Sequence, residues 1–211
     1  MAAADSLDET LRRLNAKDAS LRRIDLSGNR IGVEDATALA GALERGSFPA
    51  LQDIGLGGNS IGDEGARALA GAFERGSFPK LQHIWLGGNI IGDEGAKALA
   101  GALERGSFPA LQIIELLANR IGNEGATALS AAFERGSLPK LQRIMLGHNN
   151  IEVEMLEHVS RAIATMHCRV RVRAFLGAEL ERSPVTPARR FLWRDGDRAA
   201  LTRVLGFLLP L

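Results

Sequence analysis

One phrase, LxxIxLxxN, returns every 30 residues, at Leu21, Leu51, Leu81, Leu111 and Leu141. A fixed period of this length makes each unit a copy of one supersecondary element that stacks on its neighbours, and it governs how every smaller motif is read. The glycine-rich GLGGNSIGDEGA of Gly55–Ala66, taken alone, could cradle a phosphate. It recurs as DLSGNRIGVEDA from Asp25, as WLGGNIIGDEGA from Trp85 and as ELLANRIGNEGA from Glu115. A phosphate loop is made once, where one strand meets one helix, so these glycines read as architecture.

Within a unit, Leu51, Ile54 and Leu56 and their equivalents are apolar, and the Ile54–Leu56 alternation predicts a short strand with one face buried. Asn29, Asn59, Asn89, Asn119 and Asn149 fall just after the strand. An amide both donates and accepts, so it can satisfy backbone groups where the chain turns inward, and the five are expected to form a structural ladder. In the following IGDEGARALAGAFERGSFPK, Asp63 is the expected helix N-cap and Glu64 favours the positive helix end. Ala66, Leu69, Ala70 and Phe73 make one helical stripe. Gly76 stops the helix and Pro79 prevents its continuation. Each unit is therefore strand, turn, helix and loop.

The pattern LxxIxLxxNxIGDEGAxALAxAL resembles the leucine-rich repeat of the ribonuclease-inhibitor subtype, over about Leu21 to Met166. The resemblance implies an α/β leucine-rich repeat solenoid, a right-handed βα horseshoe arc with a parallel concave sheet and convex helices. The expected organisation is an N-terminal capping helix within 1–20 and five 30-residue repeats in 21–167, the last divergent. In residues 168–175 arginine alternates with apolar residues, which predicts a closing edge strand whose charges discourage strand addition. Residues 176–211 are expected to form a basic tail that is partly helical.

The 26 Lys and Arg balance 25 Asp and Glu to a net +1, which gives no basic excess for bulk nucleic-acid binding. The charge is divided, since residues 168–211 hold nine arginines against four acids. One cysteine, Cys168, excludes an intramolecular disulfide and fits a reducing compartment. The start, MAAADSLDETLRR, has acids where a signal peptide needs an apolar run, and the apolar stretch Val204–Leu211 is too short to span a bilayer. The expectation is a cytoplasmic monomer that engages neither nucleic acid nor membrane. No Gly-x-Ser-x-Gly elbow, His-Glu-x-x-His or cysteine pair is present, and His158 and His167 are poorly spaced to share an ion. Neither a catalytic residue, a metal nor a cofactor is expected.

Units this similar can be compared with one another. Their differences concentrate in two strand columns: Arg23, Asp53, His83, Ile113 and Arg143 at the third position, and Asp25, Gly55, Trp85, Glu115 and Met145 at the fifth. Strand alternation points both columns away from the core. Trp85 among His83, Ile113, Glu115 and Met145 is the expected anchor for a protein partner on an exposed face. The leading expectation is a non-catalytic protein-interaction module, not an enzyme. The resemblance brings two alternatives. The repeats are similar to those of Ran GTPase-activating proteins, which would make a small GTPase the partner. That family carries a functional arginine in a longer, irregular early repeat and an acidic tail. Here the early repeats are regular, the tail is basic, and Arg30 only occupies a comparable turn. Similarity to the repeat end of NOD-like receptors implies a sensor fragment instead.

Overall fold

The computed structural model describes residues 6–106, 108–135, 138 and 140–165. The edge strand expected in 168–175 and the tail in 176–211, with His167 and Cys168, lie outside the described residues. Helix α1 (Leu7–Asn15) is followed by five strand–helix units: β1 (Arg23–Asp25) and α2 (Val33–Glu44), β2 (Asp53–Gly55) and α3 (Gly62–Arg75), β3 (His83–Trp85) and α4 (Asp93–Arg105), β4 (Ile113–Glu115) and α5 (Asn123–Arg135), β5 (Arg143–Met145) and α6 (Val153–Thr165). The strands form one parallel sheet in the order β1-β2-β3-β4-β5. Each residue pairs with the residue 30 positions later, as Ile54 does with Ile84 and Trp85 with Glu115. The sequence period is thus the strand register, which is the solenoid expected from the repeat.

The core lies between sheet and helices. Leu51, Ile54, Leu56 and Ile61 of the second unit are fully buried and meet Ala66, Leu69 and Phe73 from α3. Alanines and glycines on the helices let the units approach closely. A Cβ on Gly95 would stand 2.7 Å from Asp63 Oδ1 and 3.1 Å from the Ala66 methyl, so only glycine fits there. A second apolar layer comes from the loops after the helices, where Phe48, Phe78 and Phe108 are buried. Phe48 and Phe78 stack at 6.4 Å, and Phe73 meets Phe78 and Phe108 edge-on at 6.1 and 6.3 Å. The sequence reading passed over these rings because they sit among turn residues. On the outer surface, Arg75 pairs with Glu44 and Arg105 with Glu74, each arginine gripping the glutamate one unit back with two nitrogens.

The asparagines tie successive units through their backbones. Asn59 Nδ2 donates to Leu26 O at 2.9 Å and Leu56 O at 2.8 Å, while its Oδ1 accepts from Ile31 N at 3.0 Å. Asn119 and Asn149 repeat the pattern, with Oδ1 accepting from Ile91 and Ile121. Asn29 differs from its expected role: it is exposed, and its side chain reaches Ser27 O at 3.4 Å. Among the described residues no strand precedes β1, so its amide finds no earlier strand backbone to join.

Helix capping also crosses between units, which corrects the expected role of Asp63. Its Oδ1 accepts from Gly92 N at 2.7 Å and Gly95 N at 2.9 Å, at the start of the next helix, α4. Asp93 serves α5 in the same way through Gly122 and Gly125. A glycine at the N-cap has no side chain to offer, so the neighbouring unit supplies the acceptor. The first unit carries Val33 where an acid would serve α3. There Gly62 turns left-handed (φ +63°) and its N–H goes to Asn89 O, and α3 begins one residue early. Asn89 Oδ1 is buried with no hydrogen-bond partner among the described residues, whereas Oδ1 of Asn59, Asn119 and Asn149 each takes an isoleucine N–H.

Val33→Asp is therefore expected to restore the regular turn. It supplies a cap worth about 1 kcal/mol and turns the Ile61 N–H toward Asn89 Oδ1. A melting temperature higher by roughly 2–6 °C is expected. A variant that melts at or below the wild type would place the irregular turn under some other control.

Candidate functional site

Strand alternation presents the two variable columns on the sheet face opposite the helices. Ile24, Ile54, Ile84 and Ile114 are buried, while the residues on either side of each point outward. Register then sets these residues side by side in two rows. One row runs Arg23, Asp53, His83, Ile113, Arg143 and the other Asp25, Gly55, Trp85, Glu115, Met145. The structure thus gathers all the sequence-selected residues onto one face, although they span more than 120 positions of chain.

The face is not uniform. At the β1 edge Arg23 and Asp25 pair at 2.6 Å. Partial burial works against ionising Asp25, yet hydrogen bonds from Ser27 and the Arg23 guanidinium hold it below the usual carboxylate range. Asp53 Oδ1 meets His83 Nδ1 at 2.5 Å across β2 and β3. The His83 ring lies against Trp85, with centroids 5.8 Å apart and planes 35° apart. Trp85 is half-buried, not exposed as strand alternation alone predicts. Its neighbours on the face already cover part of the indole, and Gly55 beside it offers no competing side chain.

Glu115 stands apart from the other acids. It is half-buried, it accepts a backbone N–H from Leu117, and no cation among the described residues acts on it. Burial pushes its carboxyl above the ordinary glutamate value, against the partial help of that N–H. Its position depends on Gly87, since a Cβ there would collide with Glu115 Oε1. Sequence comparison selected Glu115 but missed Gly87, because a glycine in a glycine-rich turn carries no distinct signal. Ile113 and Met145 are half-buried, and Arg143 is exposed at the far end of the face.

This environment gives a pH-dependent expectation. A carboxyl whose folded value is raised favours folding most when protonated, so its contribution is lost as pH rises through the ordinary glutamate range and the raised folded value. Glu115→Gln keeps the acceptor for Leu117 N–H and removes the charge. The variant should melt above the wild type at neutral pH, with the gap closing toward about pH 4. A gap independent of pH would mean that the carboxylate is well solvated.

The arrangement joins an aromatic ring, a half-buried carboxylate, two apolar side chains and charged ends on one surface. That is the composition of a contact surface, with an apolar and aromatic centre and a polar rim. Among the described residues, no three or more His, Cys, Asp or Glu side chains are placed to hold a metal. No helix among them is long and apolar enough to cross a membrane.

The family model described as Leucine Rich repeat matches residues 17–40, 51–70 and 79–100, the first three strand–helix units. These three units are similar to leucine-rich repeats. Two solved structures share the architecture. The leiomodin-1 actin-binding site 2 domain has a TM-score of 0.63 and 16% sequence identity, covering 85% of this chain and 100% of that one. The Caenorhabditis elegans tropomodulin C-terminal domain has a TM-score of 0.63 and 20% identity, covering 82% of this chain and 99% of that one. At these identities the likeness is one of fold. No curated protein sequence matches the chain.

Proposed function

We propose that the chain is a non-catalytic protein-binding module whose partner sits on the open face of the sheet around Trp85, the concave face of a leucine-rich repeat arc. One observation carries this reading. Units that are near copies of each other differ in the two outward rows, and those rows bring Trp85, His83, Ile113, Glu115 and Met145 together. The alanine-rich α-helix of 12–14 residues in each of the first four units supports the ribonuclease-inhibitor subtype.

The leiomodin-1 domain is named as an actin-binding site, which makes actin the first partner to offer. Hydroxyl-radical footprinting of the intact chain, free and with actin or another captured protein, tests the surface. Trp85 and Met145 should be oxidised in the free chain and protected in the complex. Protection confined to the helical surface around Lys97 would refute the assignment.

Activation of a small GTPase is a second reading, and Arg30, in a turn comparable to that family's, is the residue on which to test it. This arginine is exposed in the turn after β1. If a GTPase is captured, accelerated GTP hydrolysis abolished by Arg30→Ala would support activation. Binding without acceleration leaves the chain a binding module alone.

A further inference from the structure

We propose that the partner delivers a basic side chain, a lysine or arginine, that seats its charge between the Trp85 indole and the Glu115 carboxylate. This rests on the reading of the sheet face as the binding surface, and it names the chemistry that the face selects.

The argument starts from charge. Each of the other acids on the face has a cationic or potentially cationic partner, Asp25 in Arg23 and Asp53 in His83. Glu115 has none among the described residues. Arg143 lies diagonally across from it on β5, where Met145 is the register neighbour of Glu115, and does not act on it. A carboxylate held half out of water without a countercharge is costly, and the cost is recovered when an opposite charge arrives.

The turn after β3 leaves room for the carboxylate on this face. It lies over Gly87, two residues beyond Trp85 on the same face of the chain, and it takes the Leu117 N–H. Trp85 and Glu115 are register partners on adjacent parallel strands. Such strands run about 4.8 Å apart, so the two side chains leave the sheet side by side. A cation within about 6 Å of an indole centroid gains a cation–π attraction, which strengthens as water leaves. Ile113 and Met145 beside this pair suit the alkyl stem of a long basic residue.

The same features argue against an inorganic cation. Calcium or magnesium needs several oxygen ligands, and this spot offers one carboxylate among apolar groups. A protein side chain fits both the charge and its surroundings.

The experiment is a displayed peptide library selected on the intact chain and counter-selected on Trp85→Ala. Binders that need Trp85 should each carry an arginine or lysine. Replacing that residue with citrulline or acetyl-lysine should weaken binding to the wild type about tenfold or more, as expected for loss of a desolvated charge contact. On Glu115→Gln the same replacement should change affinity less than about twofold, because the charge it answers is gone. Gly87→Ala keeps the glutamate but takes the space of its carboxylate, and it should lose the same tenfold. If that variant fails to fold, Glu115→Gln still decides the question. Binders that need Trp85 but no basic residue would overturn the anchor and leave the binding face intact. A library that yields no Trp85-dependent binder would remove both.

Discussion

Asn119→Ala is expected to cost about 3–5 kcal/mol of stability, the largest effect of any single substitution considered for this chain. Its amide is the most connected rung of the ladder. Nδ2 donates to Leu86 O, Leu116 O and Leu117 O, and Oδ1 accepts from both Asn89 N and Ile91 N. Truncation strands buried backbone groups of two units at once, each costing about 1–3 kcal/mol if left unsatisfied. Solenoid units touch only their neighbours, so this loss falls on the junction that couples the third unit to the fourth. Thermal unfolding should shift down by roughly 10 °C and broaden as the two halves uncouple. Asn29→Ala, at the exposed first rung, should change stability by no more than about 0.5 kcal/mol. Equal losses for the two variants would contradict the ladder.

The contrast between those asparagines shows how far sequence carries and where it stops. The strand register, the core stripe of Leu51, Ile54 and Leu56, and the outward columns follow from a period of 30 combined with strand alternation. These are properties that each unit repeats. What sequence left unread are relations between units. Asp63 looks like the cap of its own helix because capping is judged from adjacent positions, yet its carboxylate serves Gly92 and Gly95 of the following helix. Val33 looks like a harmless variant of the same position, and its consequence appears at Gly62 and at the buried Asn89 Oδ1. The first asparagine matches the motif perfectly and lacks only a neighbour.

The candidate face divides in the same way. Comparing the units picked out Trp85 and Glu115, because substitution at a repeated position is visible in a single chain. It did not show that Trp85 is partly covered by its neighbours on the face, nor that Gly87 is what lets the Glu115 carboxylate lie where it does. Both facts come from side chains crossing between strands. The partial burial of Trp85 also revises what its removal does to the free protein. Trp85→Ala should lower stability modestly through lost contact with His83, without disturbing the buried Ile84 beneath it.

Its effect on binding should be much larger. A half-buried tryptophan packed against His83 on the proposed binding face, beside a carboxylate, has the features of an interface anchor, and truncating such a residue costs about 2 kcal/mol or more of binding free energy. Contact with His83 narrows the conformational freedom that the indole would lose when a partner arrives. The matched change on the helical surface is Lys97→Ala. Lys97 bridges Glu94 and Glu124 there, remote in the fold from the outward rows of the sheet.

Calorimetric titration of wild type, Trp85→Ala and Lys97→Ala with one purified partner decides the matter. The account predicts a dissociation constant raised about thirtyfold or more for Trp85→Ala and unchanged for Lys97→Ala. Weakened binding by Lys97→Ala with normal binding by Trp85→Ala would make the helical surface the working face and would contradict the assignment of the sheet.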